Sequence, residues 1–122
     1  MEVPKALEIG PKIQVTFTRA YQAGVTIVLG TDAGGFRHGK NAVEFTYMVE
    51  GGMPPMEAIR SATSVPAAIL NMEEQIGSIE SGKLADLIAV EGNPLEDIST
   101  LEQVLFVMKE GTVYKHERAG PE

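Results

Sequence analysis

The chain has 122 residues, which suits one compact domain and is well short of the roughly 250 residues of a complete (β/α)8 barrel. Its formal net charge is -7 and its basic residues are scattered, which argues against nucleic acid as a partner. There is no cysteine, so disulfides and thiolate metal sites are excluded. No apolar run approaches the length of about 18 residues that spans a bilayer, so we expect a cytoplasmic protein without membrane contact.

The first half of the chain predicts two helices separated by one apolar run. Apolar residues recur at three- and four-residue steps over residues 5–23, which predicts an amphipathic helix that ends at Gly24. Residues 25–29 are β-branched and apolar without polar alternation, which predicts a strand buried on both faces. Residues 41–50 are apolar on most sides and predict a largely buried helix, which a pair of glycines ends.

The middle of the chain predicts short helices, followed by a segment without a helical pattern. Residues 56–70 predict two short helices or one helix kinked at Pro66. Val65 precedes that proline and is expected to avoid helical angles. Beyond Met72 the helical period stops, so we expect an α/β part over residues 1–72 and a small β part over residues 73–122.

Strand patterns dominate the second part. Strands are predicted at residues 87–90, 104–108 and 112–114, and strand-like apolar positions also occur at Ile76, Ile79 and Leu84. Glu110-Gly111 lies between the last two strand patterns and predicts a hairpin turn. The polar tail from Lys115 is expected to be frayed.

The glycine-rich loop after residues 25–29 holds the candidate site residues, Asp32 and His38. Ligand sites of parallel α/β proteins form at the carboxyl ends of strands, which is where this loop is expected. On spacing alone, Asp32 suits a turn-capping role as well as a ligand, and a lone loop histidine is more often a hydrogen-bonding surface residue. The two cannot form a zinc site by themselves, because zinc takes three or four protein ligands and the other histidine, His116, is in the polar tail.

The same loop allows a second hypothesis. Residues 34–41 run from Gly34 through Lys40 to Asn41 and match a phosphate-binding loop except at the last position, where that motif requires a serine or threonine hydroxyl for magnesium. A nucleotide-binding module is therefore an alternative. A purely structural or oligomer-forming segment is a third hypothesis.

A series of motifs extends over almost the whole chain. It consists of Gly30-Thr31-Asp32-Ala33-Gly34, His38-Gly39-Lys40-Asn41 with Glu44, residues 52–59 leading to Ala62-Thr63, residues 77–88 and residues 92–98. In this order the motifs resemble the C-terminal part of metal-dependent amidohydrolases, in particular the imidazolonepropionase-like and Xaa-Pro dipeptidase-like branch.

The resemblance implies a fold, a chemistry and roles for two residues. The family fold is a distorted (β/α)8 barrel with a small β-sandwich, so the implied fold class is α/β, with barrel strand eight at residues 25–29 followed by helices and sandwich strands. Asp32 corresponds to the strand-eight aspartate that binds the metal and moves protons for the attacking water, and His38 to a position that faces the substrate. The implied cofactor is a divalent metal, zinc by expectation, and the implied substrate is a small amide or dipeptide-like molecule.

The family's other metal ligands, on barrel strands one, four, five and six, have no counterpart in this sequence. The chain therefore resembles roughly the last third of such a barrel enzyme. We expect the chain alone to be inactive and to hold metal weakly. We also expect a homo-oligomer, because strands without their neighbours expose unpaired edges.

Overall fold

The computed structural model describes residues 3–30 and 42–117. Within these ranges the helices are α1 (Val3–Gln22), α2 (Val43–Glu50), α3 (Pro55–Arg60), α4 (Ser64–Ile69) and a 3-10 helix (Ile98–Glu102). The strands are β1 (Leu87–Val90), β2 (Val104–Lys109) and β3 (Thr112–His116). The α-helices come first and the strands last, as the sequence predicts, and the 3-10 helix lies between β1 and β2.

Helix α1 confirms the prediction of a helix that ends at Gly24. The N–H of Gly24 donates to the Tyr21 carbonyl at 3.0 Å, and Gly24 has a φ of 85°, in the left-handed region that favours glycine. The rings of Phe17 and Tyr21 stack with their centroids 6.4 Å apart, so one side of the last two turns of α1 presents an aromatic surface. That surface packs against the core.

The prediction of a buried strand over residues 25–29 is wrong for the structure described. The segment belongs to none of the strands, and Val25 and Val28 are 55% and 44% exposed. A strand needs a neighbouring strand for its backbone hydrogen bonds, and in the described ranges the strands pair only with one another, in the sheet of β1, β2 and β3. Residues 25–29 therefore pack against the core on one side only, through the side chains of Ile27 and Leu29.

Helix α2 confirms the predicted helix, whereas its burial is less than predicted. Met48 is the buried residue of α2, and Tyr47 is 49% exposed. The helix ends at Glu50 with Gly51 as its C-cap, and Gly52 follows with a φ of 108°. An added Cβ on Gly51 would lie 2.6 Å from the Phe17 ring, so glycine here permits α1 and the end of α2 to approach closely.

Two short helices follow, as one of the two predicted possibilities states. Pro55 is in the first turn of α3, where a missing N–H costs nothing. The expectation for Val65 is wrong, since Val65 lies within α4. Because Pro66 is itself in the first turn of α4, it interrupts no helical hydrogen bond, and the change of direction falls on Thr63, with φ -130° and ψ -87°.

The strands form one antiparallel sheet in the order β1-β2-β3. The predicted hairpin turn is confirmed, with both Glu110 and Gly111 at positive φ, 50° and 83°. These angles give the turn type whose twist matches the flanking strands. The expectation of a frayed tail from Lys115 is wrong for the first two residues, because β3 continues to His116, whose ring meets Phe106 edge-on at 5.6 Å between centroids.

Residues 76–84 form turns and not the expected strand. Gly77 and Gly82 have φ values of 98° and 93°, and Ile79 is 84% exposed. Isolated apolar residues separated by left-handed glycines cannot maintain the extended alternation of a strand. The boundary between residues 1–72 and 73–122 stays a prediction.

The core lies where the helices meet. Its centre consists of Met48, Met53 and Ala58, all under 8% exposed, and partly buried side chains of α1, α2 and residues 25–29 pack around it. Ile98 and Leu101 of the 3-10 helix are buried as well, and Thr46 of α2 donates to Glu102 at 2.9 Å. The 3-10 helix is therefore held against α2.

Candidate functional site

Both residues predicted for the site, Asp32 and His38, lie outside the described residues. The alternative phosphate-binding loop, residues 34–41, lies outside them as well. The structure describes the two ends between which this loop runs, Gly30 on one side and Ala42 on the other. The site is therefore characterised by what holds those two ends.

The chain that leads into the loop is fixed to the end of α3. The N–H of Leu29 donates to the Ser61 carbonyl at 3.0 Å. The side chains of Ile27 and Leu29 pack on the core of Met48, Met53 and Ala58. One backbone hydrogen bond and two apolar side chains thus hold residues 27–29, and Asp32 follows Leu29 by three positions in the sequence.

Ser61 makes this contact from a buried position, and its role is not predicted from the sequence. It is 2% exposed, and its hydroxyl donates to the Ala58 carbonyl at 2.6 Å, with the sulfur of Met48 at 3.9 Å. A buried hydroxyl needs such a partner, because an unpaired one costs about 1–3 kcal/mol. The sequence signal that could have predicted this role is a small polar residue on the apolar side of a helix, three positions after Ala58.

The chain that leaves the loop is fixed through α2. The Gln14 side-chain amide donates to the Tyr47 carbonyl at 2.7 Å, and the Thr18 hydroxyl donates to the Gly51 carbonyl at 2.8 Å. Both contacts come from α1 and reach the last turn of α2 or its C-cap. Because residues 27–29 pack on the same core as α2, the two ends of the loop share one support.

The described residues do not by themselves fit a divalent metal. In residues 3–30 and 42–117, no group of three or more His, Asp or Glu side chains could hold a metal ion. His116, the histidine outside the loop, lies on β3 against Phe106. A zinc ion bound at Asp32 and His38 would still need one or two further protein ligands.

Among the described residues, Glu80 and Asp97 have clearly lowered pKa values, and both shifts have structural causes. The Lys83 ammonium and the Ser78 hydroxyl both bond to Glu80 and hold the pKa of that carboxyl below its ordinary value. The Ser99 hydroxyl and N–H lower the pKa of Asp97 in the same way, at 2.6 and 3.0 Å. Asp97 caps the 3-10 helix, and Glu80 stabilises the turn between Gly77 and Gly82. We therefore assign neither residue a catalytic role.

An apolar groove of about 620 Å³ lies between α3, α4 and the segment that leads into β1. Its walls include Ile59, Leu70, Ile76 and Leu87. Polar groups are few along it, and the groove offers no arrangement for acid–base or nucleophilic chemistry.

Among the residues the structure describes, no helix is long and apolar enough to cross a membrane.

Comparison with known proteins identifies the family. The amidohydrolase family model matches residues 2–114. The ochratoxinase of Aspergillus niger is 42% identical in an alignment of 107 residues that covers 84% of this chain and 22% of the ochratoxinase. The imidazolonepropionase of Symbiobacterium thermophilum is 36% identical in an alignment of 73 residues that covers 57% of this chain and 17% of that enzyme.

A solved structure agrees with the sequence comparisons. A Xaa-Pro dipeptidase with methionine bound in its active site is 60% identical, with a TM-score of 0.85 over 92% of this chain and 28% of the dipeptidase. The chain thus spans about a fifth of the curated relatives and just over a quarter of this solved chain. The resemblance inferred from the sequence motifs is confirmed, and the chain belongs to the amidohydrolase family.

Proposed function

We propose that this chain is the C-terminal segment of a metal-dependent amidohydrolase that hydrolyses an amide or peptide-like C–N bond in a small molecule. The observation that carries the proposal is the family match over residues 2–114, supported by 60% identity to a Xaa-Pro dipeptidase. Dipeptides and N-acyl amino acids are the first substrates to test, because both contain an amide bond and one similar solved structure is a Xaa-Pro dipeptidase.

Asp32 is proposed as the catalytic carboxylate and as a metal ligand. A carboxylate within hydrogen-bond reach of an attacking water accepts its proton, and such general-base assistance contributes about 10²–10⁴-fold to rate. Its support is the position of Asp32 in the Gly30-Thr31-Asp32 motif, three residues after a fixed backbone hydrogen bond of Leu29. His38 is proposed to face the substrate.

A divalent metal, zinc by preference, completes the proposal. When bound, such an ion supplies a Lewis acid and lowers the pKa of a coordinated water. Asp32 would supply one of the three or four protein ligands that zinc takes, so the other ligands would come from outside residues 1–122. For that reason we propose that the chain alone neither holds the ion tightly nor turns over substrate.

The two parts of the chain have different proposed roles. Residues 1–72 correspond to the last portion of the barrel, which carries the site loop. Residues 73–122 correspond to strands of the small β-sandwich, supported by the antiparallel sheet of β1, β2 and β3. The contact of Thr46 with Glu102 links the two parts.

The nucleotide-binding alternative is not favoured. Family membership accounts for residues 34–41 as part of an amidohydrolase motif, and Asn41 lacks the hydroxyl that the phosphate-binding loop requires. Calorimetry with magnesium and millimolar ATP or GTP is expected to give no binding heat. Binding that is lost in Lys40→Ala would favour the alternative.

A chimeric enzyme tests the proposed function. Residues 1–122 replace the matching segment of the 60% identical Xaa-Pro dipeptidase, and hydrolysis of dipeptides is compared with that of the same chimera carrying Asp32→Asn. The control is Asp97→Asn, which changes an aspartate that caps the 3-10 helix. The proposal expects activity in the chimera and in the control, and its loss in Asp32→Asn.

A further inference from the structure

We draw no further inference here: the strongest candidate, the apolar groove between α3, α4 and the segment leading into β1, carries nothing because the described part of the chain does not show what covers it.

Discussion

The carboxylate of Asp86 accepts a hydrogen bond of 2.8 Å from the backbone N–H of Glu110, 24 positions further along the chain. Next to this bond, the N–H of Gly111 donates to the Ala85 carbonyl at 3.2 Å. The residues just before β1 therefore hold the turn between β2 and β3. This contact gives Asp86 a structural role within the motif at residues 77–88.

Replacing Asp86 with alanine is expected to lower the free energy of unfolding by about 1 kcal/mol, the usual net contribution of such a hydrogen bond. Asp86→Asn keeps one carbonyl oxygen as an acceptor and should lose less. Urea unfolding followed by circular dichroism measures both variants. Equal losses in the two variants would mean that the bond to Glu110 is not what Asp86 contributes.

Gly77 and Gly82 form a matched pair for a packing test. Both have a φ above 90°, so alanine at either position should cost about 1 kcal/mol of backbone strain. A Cβ on Gly77 would also lie 2.6 Å from the Cβ of buried Ala67, whereas nothing lies within 4 Å of a Cβ on Gly82. Overpacking adds about 1–3 kcal/mol. Gly77→Ala should therefore unfold at clearly lower urea than Gly82→Ala, and identical midpoints would refute the close packing of this turn on α4.

Glu80 makes stability depend on pH in the acid range. Its bonds to Lys83 and Ser78 lower its pKa in the folded protein from the ordinary 4.5. The contribution is therefore complete above that ordinary pKa and is lost as the pH falls through the lower folded-state value. The effect is small, because Glu80 is exposed and solvent screens the pair.

A comparison of Glu80→Gln with the unchanged chain measures this dependence. The stability difference between the two should be constant near neutral pH and shrink below about pH 4.5. A difference that grows on acidification would contradict the sign of the pKa shift. The bond from the Lys83 ammonium to the Glu80 carboxylate, 2.9 Å long, is the principal cause of the lowered pKa. Lys83→Met tests this cause directly.

How much could be predicted from the sequence depends on where each element finds its partners. The hairpin of β2 and β3 was predictable because Glu110-Gly111 and the flanking apolar residues are local signals. Residues 25–29 have an equally strong strand pattern, yet they form no strand, because a strand also requires a neighbour that local sequence does not provide. The prediction for Val65 was wrong for a related reason. The effect of a proline on the residue before it depends on where the proline lies in its helix, and Pro66 lies in the first turn of α4.

The candidate site was also predictable only in part. Motif resemblance led to the family, which the comparisons confirm. The support of the loop by Ser61 was not predicted, because its hydrogen bond joins segments 32 positions apart and involves only backbone atoms, Leu29 N–H and Ser61 C=O. The roles of Asp32 and His38 stay predictions.

Exposed apolar surface supports the prediction of a homo-oligomer. Ile13, Ile79, Leu70 and Tyr114 are each more than 60% exposed, and β1 and β3 are the outer strands of the described sheet. Such surface favours association, so light scattering at tens of micromolar should give a mass above 13.1 kDa. A single species of monomer mass at that concentration would contradict the prediction.

Metal binding by the chain alone is expected to be weak. Zinc titration followed by backbone NMR shifts of residues 30–40 should show gradual, unsaturated changes, because two loop side chains leave the coordination shell open. Tight one-to-one binding that disappears in Asp32→Asn would show that the chain, or an assembly of it, completes a site without other ligands.

The proposed role of Asp32 can be measured as the ratio of kcat/KM between the dipeptidase chimera and its Asp32→Asn variant, on a dipeptide with saturating zinc or manganese. If Asp32 is the catalytic carboxylate of an amidohydrolase, the ratio should be at least about 10², while the Asp97→Asn control stays near the unchanged chimera. A folded Asp32→Asn chimera with the same kcat/KM as its parent would show that Asp32 is not the catalytic carboxylate.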